Sequence, residues 1–170
     1  GSRTLSARTP YATGSSPYEV AVVDVNNDNR PDIITANNDA STVSVLLNAG
    51  SGTFSAPTTY ATGSSPYSVA VVDVNNDNRP DIISANNGAS TVSVLFNAGN
   101  GTFSAPTIYA TGSYSRSVAV VDVNNDNKPD IVTANYGAST VSVLLNTGTG
   151  TFSAQTTYAT GTNPSSVAVV

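Results

Sequence analysis

Residues 24–32 read DVNNDNRPD, and the same nine residues return at 73–81 and, as DVNNDNKPD, at 122–130. In the first copy, oxygen-bearing side chains stand at positions 1, 3, 5 and 9: Asp24, Asn26, Asp28 and Asp32. Position 7, Arg30, can add its backbone carbonyl. The second copy offers Asp73, Asn75, Asp77, Arg79 and Asp81, and the third offers Asp122, Asn124, Asp126, Lys128 and Asp130. Alternate spacing in a tight loop turns successive hard oxygens toward one centre. Ca²⁺ asks for that, taking roughly six to eight oxygen ligands. The chain has no His and no Cys, so metals that prefer nitrogen or sulfur find no ligands. Magnesium is the weaker rival, because it keeps several waters in an octahedral shell.

Charge points the same way. The three loops hold nine of the eleven acidic residues, leaving only Glu19 and Asp39 outside. Carboxylates packed this tightly repel one another unless a cation sits among them. One Ca²⁺ per complete repeat, three per chain, would move the formal charge from −5 to about +1. A single loop of this kind would read as turn chemistry, since Asp and Asn favour turns. Three copies, each with carboxylates at positions 1, 5 and 9, read as metal loops. A helix–loop–helix calcium hand needs an acid at position 12, where Thr35 stands, and helices on both sides. The nonapeptide calcium β-roll needs a much shorter, glycine-rich period. Neither fits.

The elements that must hold these loops recur with the same step. The copies lie 49 residues apart, and Tyr11, Tyr60, Tyr109 and Tyr158 keep that interval, giving about 3.5 repeats. Val and Thr suit strands, Asn, Gly and Pro suit turns, and helix formers are scarce, so the class is all-β. One period holds four strand-like segments: VAVVDV at 20–25, DIITAN at 32–37, TVSVLLN at 42–48 and TFSAPTTYAT at 53–62. The first is nearly all apolar, as expected of a strand covered on both faces. The last contains Pro57, which cannot donate to a ladder, so this strand is expected at the outer edge. An apolar inner strand grading to a proline-bearing outer one describes a four-stranded antiparallel propeller blade. The division that follows is a cloning scar at 1–2, the outer strand of a partial blade at 3–13, blades at 14–62, 63–111 and 112–160, and an inner strand of a further partial blade at 161–170. Such a unit cannot bury its faces alone, and propellers close with about four to eight blades. A homo-oligomer formed by blade–blade stacking is therefore expected to complete the ring.

The DVNNDNRPDI loop and the TFSAPTTYATG segment together resemble the FG-GAP/VCBS repeats of integrin-type β-propellers, over essentially the whole chain after Gly1-Ser2. The resemblance implies a ring of four-stranded blades with Ca²⁺ held in the turn between the first two strands. It assigns ligand roles to Asp24, Asn26, Asp28, the Arg30 carbonyl and Asp32, and to their counterparts in the other two loops. This sequence departs from the family at position 6, commonly Gly, where Asn29, Asn78 and Asn127 stand. Asn enters the left-handed region more readily than most residues, so the loop is expected to form.

Several function classes recede. A net charge of −5 with scattered Arg and Lys gives no basic patch for nucleic acid. No apolar run approaches the ~20 residues that a membrane-spanning helix needs, so no membrane insertion is expected. Without His or Cys, acid–base and nucleophilic sites lack their usual groups, and the lone Lys128 occupies a position filled by Arg in the other loops, so no enzyme is expected. A non-catalytic module with an extracellular adhesion or interaction role remains, any leader lying outside this chain. Tyr18 and Tyr67, in the SSPY segments before the inner strands, could stack a sugar or simply pack between blades; the third repeat has Arg116 there, with Tyr114 close by. The partners to consider are thus a glycan or a protein ligand. A trimmed propeller fragment acting only as a scaffold is the remaining alternative.

Overall fold

The computed structural model describes residues 8–169. Runs of Val, Ile and Thr, each closed by Asn, Asp or Gly, pair with their sequence neighbours as antiparallel strands. In the first repeat β1 (Pro17–Val23), β2 (Asp32–Asn37), β3 (Thr42–Leu46) and β6 (Thr58–Ala61) form one four-stranded sheet in that order. Between β3 and β6, β4 (Asn48–Gly50) and β5 (Thr53–Phe54) make a separate two-stranded ribbon. The second sheet is β7 (Pro66–Val72), β8 (Asp81–Asn86), β9 (Thr91–Leu95) and β10 (Thr107–Ala110), with a single Asn97–Phe103 bridge where the ribbon would be. The third is β11 (Ser115–Val121), β12 (Asp130–Asn135), β13 (Thr140–Leu144) and β16 (Thr156–Ala159), with a ribbon of β14 (Asn146–Gly148) and β15 (Thr151–Phe152). The expected all-β fold of four-stranded antiparallel blades is the fold observed.

Several expected segments are corrected: the inner strand expected at 20–25 runs Pro17–Val23, and the one expected at 42–48 leaves the sheet at Leu46, with Asn48 in the ribbon. Residues 53–62 do not form one strand: Thr53–Phe54 belong to the ribbon and only Thr58–Ala61 joins the sheet. Ser55 causes the break, since its N–H reaches the Leu47 carbonyl and its hydroxyl accepts from the Leu47 N–H, closing the ribbon. Pro57 then re-enters without a donor to offer. The edge position expected from that proline is where the strand lies, because β6, β10 and β16 are all outermost. Of the partial blade expected at 3–13, residues 3–7 fall outside the described residues, as do 1–2, and 8–13 carry no strand.

The core lies between sheets, not within them. Ile34, Ala36, Val43 and Val45 face Val69, Ile82 and Leu95 of the next sheet. Ile83, Ala85, Val92 and Val94 pack in the same way against Val118, Ile131 and Leu144. Adjacent residues of β8 thus serve opposite neighbours, Ile82 backward and Ile83 forward, which is why the middle strands lose the polar alternation of a half-exposed sheet. Edge-to-face pairs clasp the outer parts: Tyr60 against Phe103 at 5.5 Å and Tyr109 against Phe152 at 5.4 Å. Each inner strand carries a β-bulge at the same place, between Pro17 and Glu19, Pro66 and Ser68, and Ser115 and Ser117.

Candidate metal loops and the opposite rim

Each Asp-rich loop joins an inner strand to the next strand at one end of its sheet, where Val23 pairs with Asp32. Two residues per loop have left-handed backbone: Asn27 and Asn29 (φ 60° and 63°), Asn76 and Asn78 (63° and 62°), Asn125 and Asn127 (60° and 62°). Position 6 therefore takes the conformation that glycine would supply, and Asn supplies it.

The loop is knit by its own carboxylates. The Asn26 and Asp28 N–H groups donate to Asp24 Oδ1, and Asn29 N–H donates to Asp24 Oδ2 at 2.7 Å. Asp28 N–H also donates to Asn26 Oδ1 (3.1 Å), and Arg30 N–H donates to Asp28 Oδ1 (2.9 Å). Asp73, Asn75 and Asp77, with Arg79, repeat the set, as do Asp122, Asn124 and Asp126, with Lys128. Asp32, Asp81 and Asp130 stand apart at the base of the loop, fully buried. Each spans two segments: Asp32 accepts from Val25 N–H (2.9 Å) and from Asn48 N–H (2.8 Å).

Positions 1, 3 and 5 are thus gathered by direct hydrogen bonds, whereas position 9 is held by backbone donors. Among the described residues no three acidic side chains converge into a ready cation cage. The donor set nevertheless suits a hard cation, since it is oxygen throughout, and a carboxylate or amide oxygen that accepts one N–H retains a lone pair. Asp81 gives the strongest electrostatic sign of such a fit. Burial pushes its carboxyl up to about 6, Asp77 and Asp73 add to the rise, and the Asn97 and Val74 N–H groups oppose it. A buried carboxylate beside two others is stabilised by a positive charge. At Asp122 desolvation works against ionisation, but the backbone N–H groups of Asn127, Asp126, Asn124 and Asn125 prevail and hold the carboxyl below its ordinary value. The side chains at position 7 lie beside the loops: Arg79 Nη1 donates to the Ala98 carbonyl (3.2 Å), and Lys128 Nζ lies 3.4 Å from Asp126 Oδ2.

Sequence reasoning missed Asn48, Asn97 and Asn146. The Asn97 amide, 3% exposed, donates to the Pro80 carbonyl of its own loop and to the Val25 carbonyl of the preceding loop, at 3.0 and 2.8 Å. Asn146 does the same with Pro129 and Val74. These residues tie successive loops together. Their signal was an asparagine at the same place after each apolar TVSVL segment.

The opposite rim, where Pro17 pairs with Asn37, carries a different row. Tyr18 stacks on Tyr67 with centroids 4.1 Å apart and planes 43° apart. Arg116 continues the row, its guanidinium carbon 5.2 Å from the Tyr67 centroid and 3.9 Å from that of Tyr136. The two SSPY tyrosines therefore pack on each other between blades.

Three FG-GAP-like repeats match the chain, over residues 24–84, 73–133 and 122–170. Among solved structures, a lectin of Agrocybe aegerita that recognises non-reducing terminal N-acetylglucosamine is similar in fold, at 22% identity and a TM-score of 0.58. That alignment covers 89% of this chain and 39% of the lectin, so the chain spans well under half the lectin's length. The Tc holotoxin pore of Photorhabdus luminescens aligns over 82% of this chain and 7% of its own, at 17% identity and a TM-score of 0.49. No curated protein sequence matches. With loop, blade and repeat in agreement along the whole array, the chain belongs to the FG-GAP-like repeat family and folds as propeller-type blades.

Proposed function

We propose that this chain is a non-catalytic, calcium-stabilised FG-GAP propeller segment that presents an interaction surface outside the cell. The observation carrying this is the threefold recurrence of an all-oxygen loop whose position 1 carboxylate organises positions 3, 5 and 6. Asp24, Asn26, Asp28, the Arg30 carbonyl and Asp32 would hold the ion, with equivalent sets headed by Asp73 and Asp122. Bound Ca²⁺ would supply charge neutralisation and a fixed loop. The residues themselves close the turn between the first two strands of each blade and, through Asn97 and Asn146, pass that order to the neighbouring blade. Extracellular fluids supply calcium at levels that loops of modest affinity can use.

Thermal melts in Ca²⁺ and in EDTA test the reading. At a hundredfold excess over Kd, each occupied loop should add about 2.7 kcal/mol to stability. Superimposable melts would remove calcium from the account.

Carbohydrate binding is the second reading. It is supported by the aromatic row at the rim and by the sugar-recognising protein whose fold is similar. In either case the exposed face of β1 is proposed to receive another blade, here from a second copy of the chain.

A further inference from the structure

The third repeat departs from the others in one small region. Ser65-Pro66-Tyr67 becomes Tyr114-Ser115-Arg116, and Asn87 becomes Tyr136. These replacements meet in space: Tyr114, Arg116 and Tyr136, together with Asn87 of the second repeat, line an open cleft of about 250 Å³. In an array that otherwise repeats almost verbatim, this is a local change of chemistry.

Three features of the cleft point to a ligand. First, Arg116 has no counter-ion. Among the described residues its guanidinium makes no ion pair or hydrogen bond, and its Nε is buried without a partner. The rings of Tyr67 and Tyr136 lie against its guanidinium, so aromatic faces and no hydrogen-bond acceptor hold it there. Second, Tyr114 has a left-handed backbone (φ 55°), a conformation that Ser16, Ser65 and Asn163 adopt at the equivalent positions. Ser and Asn are smaller there, and a bulky ring in this region is a strained choice. The ring lies over Gly137, where even a Cβ would approach it to 2.2 Å, yet Tyr114 remains 55% exposed. Third, nine of the eleven acids are elsewhere, and the other two, Glu19 and Asp39, belong to the first repeat, where Glu19 accepts from Val69 N–H and Asp39 from Ser16 Oγ. The Asp loops occupy the far end of the sheets, a seven-residue strand away, or about 20 Å. At 0.1 M salt that distance exceeds the Debye length of about 10 Å, so the loops barely repel an anion here.

We propose that this cleft binds a single carboxylate-bearing pyranose, a hexuronate unit. The proposal rests on the carbohydrate reading above and narrows it. Arg116 presents its planar fork to the carboxylate, Tyr114 offers its open face to the C–H side of the sugar ring, and Asn87 hydrogen-bonds a hydroxyl. The volume suits one ring and not an extended chain. The repeated chemistry of the first two blades cannot do this, because their stacked tyrosines carry no charge.

The test is calorimetric titration of the full chain with sodium glucuronate, glucose, N-acetylglucosamine, sodium acetate and an Asp-rich peptide. Arg116→Tyr and Tyr114→Ser are the variants, since each restores a residue that the second repeat already carries at that site. Glucuronate is expected to bind at least about tenfold more tightly than glucose, Arg116→Tyr to abolish that preference, and Tyr114→Ser to weaken both sugars. Equal binding of neutral and acidic sugars, unchanged in Arg116→Tyr, overturns the proposal and leaves the carbohydrate reading standing. Acetate binding as tightly as glucuronate overturns it in favour of a bare anion site. Tighter binding of the peptide gives the cleft to a protein ligand. No binding of any sugar overturns both readings.

Discussion

At the scale of single residues, the repeats supply their own controls. Gly63, Gly112 and Gly161 are equivalent positions, and Gly161 alone has different surroundings. A Cβ on Gly63 would meet the Asn86 amide at 2.6 Å, within a buried network in which Asn86 donates to Thr91 and Ser93 and accepts from Ser84. Gly161 has nothing within 4 Å. Gly63→Ala should therefore cost about 1–3 kcal/mol in a denaturant titration while Gly161→Ala costs almost nothing. Asp81 gives a second prediction, with a definite sign. Its folded-state carboxyl lies near 6, above its ordinary value, so without a cation it contributes stability at low pH that is lost as pH rises through about 6. Melts in EDTA should show Asp81→Asn flattening that decline, and an unchanged pH profile would contradict it.

At the scale of elements, the sequence made the DIITAN strand, the existence of an apolar inner strand and the Asp-rich turn between them readable, because each depends on local residue type. The reach of residues 53–62 was not readable, since Ser55 bonds to Leu47 in a segment that strand propensity alone extends straight through. Nor were the links between blades, because alternation along one strand does not say which neighbour each face meets. Asn97 illustrates the point: locally it ends a strand, but its amide bonds to a carbonyl 72 residues away. Asn97→Ala would leave the Val25 and Pro80 carbonyls unpaired in a buried place, costing on the order of 2 kcal/mol. Hydrogen exchange should then quicken in the first loop as well as the second; faster exchange in the second loop alone would sink the idea of coupled loops.

At the scale of the whole molecule, the two end faces are unlike the interior ones. Val20 and Val22 are each 58% exposed on β1, whereas the equivalent Val69 is 7% exposed against the first sheet. At the other end Val167 N–H donates to Ser117 Oγ at 3.2 Å, repeating the Val118–Ser68 bond of 3.1 Å, although residues 161–169, expected as an inner strand, carry no strand. Head-to-tail association would bury the β1 face in the way that the second and third blades bury theirs. Light scattering should find more than one copy per particle, and Val20→Lys with Val22→Lys should yield a monomer of unchanged circular dichroism. A monomeric parent protein would overturn this. The bulge in each inner strand has a consequence for how such an array can change. Tyr18, Tyr67 and Arg116 are the extra residues at these bulges, outside the pairing of the ladder. Each can be replaced without disturbing the ladder hydrogen bonds, although its side-chain neighbours can change with it, as Asn87 gives way to Tyr136 beside Arg116. Duplication can thus multiply one robust frame while each copy keeps a rewritable stretch of rim around its bulge, and the third blade, with Tyr114, Arg116 and Tyr136, has been rewritten there.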